Sequence, residues 1–287
     1  MANAGQASGL VAAGLGWGIA LGVALGTLLI APAMGGTLTD DPLTRPAAPT
    51  HSAEGGGTEA GGANSSDAEA QAEEANALLA DQSQMIVEGA LTDVPVTVIR
   101  TASADDADAA AVRWLANVAG ASSSGGIMLT EKFFDREAAD ELASIIATTL
   151  PAGAQLSVEN RSPGTHAGES LAAVLAADPA TGDAIAPTGD RDLVLESLQH
   201  AGFIDITPPV VPAGVIILVA GPEDDDSFAS QALADFAAAL GANARVVVAS
   251  SSNALQVEGA DTVGYVGTEA GRIRAVLAAA ELAGGEQ

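Results

Sequence analysis

The chain has no cysteine. That excludes a disulfide framework and leaves the redox compartment unread. Without thiolates, and with only three histidines (His51, His166 and His200) at no recognised ligand spacing, a structural zinc site is not expected. Positive charge is nearly as scarce. Ten Lys and Arg, among which Lys132 is the single lysine, stand against 37 Asp and Glu, giving a net charge of −27 at pH 7. A surface of that sign repels phosphate and anionic headgroups, which argues against nucleic-acid binding; it suits basic proteins, cations or cationic wall polymers as partners, or serves only to keep an alanine-rich domain soluble. The chain also lacks GxGxxG and GxxxxGK[ST] phosphate loops, the GxSxG turn of a nucleophilic hydrolase, and HExxH. No dinucleotide, no other cofactor and no enzymatic activity is therefore expected.

What the sequence does contain is one uncharged apolar run, Leu10 to Ala31 (LVAAGLGWGIALGVALGTLLIA). As a helix it would span about 33 Å, against a hydrocarbon core of roughly 30 Å. Gly14, Gly18, Gly22 and Gly26 recur every four residues along it, and small residues in such a stripe let two backbones approach in lipid. The run reads as a single transmembrane anchor with a face for self- or partner-packing. A cleaved secretory signal is the competing reading, because Ala31-Pro32-Ala33 resembles a cleavage site. A basic n-region is missing, however, and the apolar core exceeds the usual length of about 7–15 residues. Only Arg45 lies near either end, so charge gives almost no orientation.

Residues 1–9 form a short tail before the anchor. Residues 32–66 are rich in Gly, Pro, Thr and Ala, including GGGTEAGGANSS, and read as a flexible tether. A short helix is expected over 67–92, opening at Asp67 and carrying Leu78, Leu79, Met85, Ile86 and Leu91 on an imperfect face. Residues 93–287 then alternate. Strands are expected at 94–101, 126–130 and 155–159, with helices at 105–119 and 132–150 between them. Mostly helical residues 169–177 and 190–200 follow. A second series places strands at 215–220, 245–249 and 262–266, and helices at 227–240 and 269–282. The expected fold is α/β: a doubly wound, Rossmann-like, mainly parallel sheet built of two βαβαβ halves behind an N-terminal transmembrane helix.

Such sheets bind ligands at the carboxyl ends of their strands. The turn Thr101-Ala102-Ser103-Ala104-Asp105 carries no phosphate loop, and the later acidic turn would repel a pyrophosphate. Glu223, Asp224, Asp225 and Asp226 in that turn read as an exposed acidic interaction patch at a helix N-terminus, where carboxylates complement the helix dipole. Their hard oxygens would also suit Ca²⁺, the less favoured reading. Ser122–Ser124 and Ser250–Ser252 read as serine-rich turns. His166 with Glu169 is the one acid–base pair worth naming, and a surface loop is the favoured explanation.

Taken in order, several short motifs resemble the actinobacterial MctB family. They are VTVIRT in the first strand, LTEKF at Leu129–Phe133, LPAG at Leu150–Gly153, AGFI at Ala201–Ile204, and TEAGRI followed by VLAAAELAGG near the C-terminus. The family includes a mycobacterial copper transport protein and the corynebacterial cell-separation protein SteB. The resemblance implies an envelope protein with an amino-terminal membrane helix and an extracytoplasmic α/β domain. Its members are labelled copper efflux factors, or regulators of septal wall hydrolysis acting with a membrane partner, SteA. Thr268, Gly271 and Arg272 are the residues the motif singles out, with packing the favoured role. Two departures are visible: the basic start before the anchor is missing, and a Gly/Pro tether stands where a long charged coiled coil is usual.

Residue chemistry divides the two roles. Cu(I) prefers thiolate and thioether ligands and Cu(II) prefers imidazole, whereas here Met1, Met34, Met85 and Met128 and the three histidines are scattered. One apolar helix cannot form a water-filled channel alone. The expectation is a non-enzymatic, single-pass envelope protein whose acidic domain binds a SteA-like membrane protein or a wall hydrolase and regulates wall hydrolysis and cell separation. Homo-oligomerisation through the glycine stripe stays open. The alternative is a copper transport or efflux component, as an oligomeric channel. A solute-binding domain using the sheet crevice is the third reading.

Overall fold

Two adjacent inner strands of the sheet are buried at every position. They are β4 (Val215–Ala220, VIILVA) and β5 (Val246–Ser250, VVVAS). Continuous apolar runs of this kind belong to strands covered by helices on both faces. The computed structural model describes residues 59–222, 227–253, 255 and 257–284. In it β4 and β5 belong to a six-stranded sheet of order β3-β2-β1-β4-β5-β6. Strands β1 (Pro95–Thr101), β2 (Ser122–Leu129) and β6 (Asp261–Val263) run parallel to them, and β3 (Ile204–Thr207) pairs antiparallel with β2 at one edge.

Seven helices accompany the sheet among the described residues: α1 (Glu59–Val87), α2 (Asp106–Val118), α3 (Ala139–Thr149), α4 (Pro163–Leu175), α5 (Thr188–His200), α6 (Phe228–Asn243) and α7 (Glu269–Gly284). Helices α3 to α6 cover one face around Leu142, Ile146, Leu171, Phe203 and Phe236. Helices α2 and α7, with the end of α1, cover the other around Leu91, Val112, Leu115 and Val276. Local chemistry sets several starts. Asp105, Ser162 and Ser227 each accept a backbone N–H of the first turn, for α2, α4 and α6 respectively, and Pro163 occupies the position where its missing N–H is harmless. Arg191 on α5 is buried. Its Nε donates to the Val174 carbonyl at 2.6 Å and its Nη2 to the Val210 carbonyl at 3.3 Å. Desolvation pushes its pKa below the ordinary arginine value, and the neighbouring Asp192 carboxylate opposes that shift.

The mainly parallel α/β sheet agrees with the sequence, but the division into two βαβαβ halves does not. Residues 155–159 form no strand: Val158 is exposed and Leu156 only half-buried, so the segment has no apolar alternation to place against a sheet. The strand beyond β2 is instead β3, which arrives after three helices and in the opposite sense. Residues 132–150 are not one helix either. A 3-10 turn over Glu131–Phe134 turns Phe133 and Phe134 together onto Phe236, with ring centroids 5.0 to 6.2 Å apart, and α3 starts afresh at Ala139. Ser122–Ser124 belong to β2 rather than to a turn.

At the amino end, α1 begins at Glu59, so Ser65, Ser66 and Asp67 lie inside it instead of opening it. The Ala- and Glu-rich stretch that follows them is strongly helix-forming and carries the helix back through weaker formers. Asn76, Leu79, Ser83 and Val87 make its inward face, whereas Leu78, Met85 and Ile86 are exposed. The chain leaves α1 through Gly89, at φ +74°. Among the described residues no helix is long and apolar enough to cross a membrane. The expected anchor 10–31, with Gly14, Gly18, Gly22 and Gly26, lies outside them.

Candidate functional site

Strand order reverses between β1 and β4, so the ligand crevice of a doubly wound sheet would lie between their carboxyl ends. Here two turns meet at that point. The Gly221 N–H donates to Thr101 Oγ1 at 3.0 Å, and Thr101 Oγ1 shares a hydrogen bond with Ser103 Oγ at 2.9 Å. A Cβ on Gly221 would stand 2.1 Å from the Ser103 carbonyl carbon, so only glycine allows this approach. Backbone therefore closes the crevice. A neighbouring cavity of about 290 Å³ is lined by Ala102, Ser103, Thr130, Glu131, Phe134 and Ala229. Among its described lining residues the one charged side chain is the Glu131 carboxylate, and Thr130 already donates to the Gly202 and Phe203 carbonyls. The first turn of α2 carries Asp106 and Asp108 behind the Asp105 cap, which leaves it anionic.

The structure disperses the sequence's other candidates. His166 Nε2 is bonded to the Ser157 carbonyl at 3.0 Å, and Glu169 Oε2 accepts the Ser157 N–H at 2.9 Å. Both side chains thus pin the irregular 155–159 segment onto α4 rather than facing each other as acid and base. His200 is exposed at the end of α5, Met85 is exposed on α1, and Met128 is half-buried on β2. Among the described residues no three His, Cys, Asp or Glu side chains gather as a metal site. Glu223, Asp224, Asp225 and Asp226 lie outside the described residues.

Thr268, Gly271 and Arg272 do come together, at the corner between β6 and α7. Thr268 Oγ1 accepts the Gly271 N–H at 3.1 Å and donates to the Tyr265 carbonyl at 2.8 Å. A Cβ on Gly271 would lie 2.1 Å from that same carbonyl oxygen. Arg272 Nη2 binds Asp108 of α2 at 2.7 Å, Nη1 reaches Glu269 at 3.3 Å, and Nε donates to the Val266 carbonyl at 3.1 Å. Asn76 of α1 completes the corner by accepting the Glu269 N–H at 2.7 Å. One short motif therefore joins α1, α2 and α7.

A family profile described as "Copper transport outer membrane protein, MctB" matches residues 9–287. The chain belongs to the MctB family. A relative named "Copper transporter MctB" from Mycobacterium tuberculosis is 33% identical over 225 residues, which is 70% of each chain. A second of that name, from Mycobacterium leprae, is 37% identical over 122 residues, covering 42% of this chain and 38% of the relative. Within this MctB chain the TEAGRI segment is the corner just described, and its residues hold helices together rather than line a cavity. Sequence reading missed the cleft on the α2 side of the sheet, where Arg100 and Arg113 meet Met128 and Asp205. The available signal was that two of only ten cations fall within one βα unit of a strongly acidic chain.

Proposed function

We propose that the chain takes part in copper transport at the cell envelope, as a non-enzymatic component tethered by its N-terminal apolar run. The observation that carries this reading is the family match over residues 9–287, together with relatives named as copper transporters. Copper is the cargo in this reading, not a resident cofactor. The described domain offers no gathered soft donors, so it contributes by protein contact and assembly, and the copper path lies in an assembly of several chains. The net charge of −27 suits such a part, because an anionic domain concentrates cations near its surface without binding them tightly.

Regulation of wall hydrolysis and cell separation, with a SteA-like membrane protein or a wall hydrolase as partner, rests on resemblance alone. The names of the matching relatives weigh towards copper. Deletion of the gene tests both. The expected outcome is increased copper sensitivity with normal septation, restored by the full chain and not by one lacking residues 1–31. Unchanged copper tolerance with unseparated cells would overturn the copper reading in favour of the other.

A further inference from the structure

The second turn of α2 lays Arg113 across the floor of a cleft of about 320 Å³ on the sheet. Val98 and Arg100 of β1, Gly126 and Met128 of β2, and Asp205 and Thr207 of β3 line it. The floor is made by an irregularity in β2. The β1–β2 register slips between Val96 and Val98, and Gly125 takes a φ of +88°. Bulges of this kind re-aim a strand and recur beside binding sites. Gly126 follows, and a Cβ there would stand 3.1 Å from Arg113 Nη2, so the missing side chain is what lets the guanidinium lie against the strand.

Arg113 is the anomaly. Its Nε is buried and has no hydrogen-bond partner, and no described residue pairs with its guanidinium. Buried polar groups are nearly always partnered, and each exception calls for a reason. Arg100, in contrast, is already paired with Asp106 at 2.5 Å. Of the two arginines and two aspartates that line the cleft, Arg100 and Asp106 pair with each other, which leaves Arg113 with no ion-pair partner and Asp205 on the rim. A guanidinium is a planar fork matched to a carboxylate. A dianionic phosphate meets twice the repulsion from Asp106 and Asp205 that a singly charged carboxylate meets, and its tetrahedral oxygens match the planar fork less well.

We propose that this cleft binds a small monocarboxylate, with its carboxylate on Arg113 and its apolar part against Met128. The site is independent of the copper reading. It is tested by thermal-shift titration of the full-length protein with propionate and with inorganic phosphate, at matched ionic strength. Propionate is expected to raise Tm saturably and phosphate is not. Arg113→Lys, which keeps the charge and loses the fork, should weaken half-saturation about tenfold or more. Gly126→Ala, which displaces the guanidinium, should do the same. Asp205→Asn changes only an exposed rim carboxylate and should tighten propionate binding about two- to fivefold. It decides the matter if the two other variants fail to fold. Absence of a saturable propionate response, a stronger response to phosphate, or equal affinity in all variants would overturn the assignment.

Discussion

Gly271 and Arg272 illustrate how single positions carry this fold. Gly271 lets α7 start directly under the Tyr265 carbonyl, and Tyr265 itself adopts φ +61° to make the approach. Gly271→Ala would force a methyl group into that carbonyl, so the corner must open. The expected loss is about 1–3 kcal/mol of stability, the usual range for overpacking, read as a lower urea midpoint with an unchanged slope. Arg272 works in a different way. It sits between two mostly buried carboxylates, Asp108 and Glu269, and its carbonyl contacts fix the guanidinium in one orientation. A lysine keeps the charge there but cannot span both helices.

At the scale of elements, α1 is the least committed helix. Only its second half touches the domain, through Asn76, Leu79, Ser83 and Val87, and its first described side chains are all exposed. Asn76 acts as the start cap of another helix, α7, through the Glu269 N–H. Asn76→Ala should remove about 1 kcal/mol of capping and loosen α1 without unfolding the sheet. Hydrogen exchange checks this: amides of α1 and of the first turn of α7 should exchange faster, while those of β4 and β5 stay protected. A tighter contact joins α4 and α6. Cβ atoms on Gly164 and Gly168 would stand 2.3 Å and 2.5 Å from the Ala232 and Phe236 carbonyl oxygens, so the two helices touch backbone to backbone.

These elements also mark where the sequence was legible. Strand β4 was readable to the residue, because six consecutive apolar residues bounded by Gly214 and Gly221 have one stable use in an α/β protein. Its neighbour β5 and helices α2, α6 and α7 were readable within a few residues from caps and periodicity. Strand β3 was hidden, because four residues with one alternating apolar pair cannot be told from a loop and depend on β2 for their hydrogen bonds. The break before α3 was hidden as well, since two adjacent phenylalanines fit a helix locally and only Phe236, far along the chain, pulls both inward. The Arg113 cleft left only one trace in the sequence, the two scarce cations Arg100 and Arg113 within one βα unit. It arises from a strand irregularity and a helix residue that meet only in three dimensions.

For the whole molecule, charge is the dominant long-range term. A domain with few cations and a strong excess of carboxylates repels itself, and salt screens that repulsion over a Debye length of about 8 Å near 0.15 M. Tm should therefore rise with added NaCl at low ionic strength and then level off. A Tm that falls with salt would mean that ion pairs such as Arg100–Asp106 and Arg272–Asp108 outweigh the excess charge. In the copper role proposed for this charged body, the sealed crevice between β1 and β4 takes no part, because backbone fills the usual ligand position of the sheet.

Helix α1 has a mechanical consequence. Its 29 residues span about 44 Å, and its contacts with the domain run along the second half, from Asn76 to Val87. Tension entering at Glu59 reaches the Asn76 contact first, then Leu79, Ser83 and Val87 in turn. Such a load peels the contacts one at a time, in the manner of an opening zipper. The same four contacts pulled along the helix axis would share the load and resist together. The direction of pull thus decides how much force the domain withstands before α7 loses its cap.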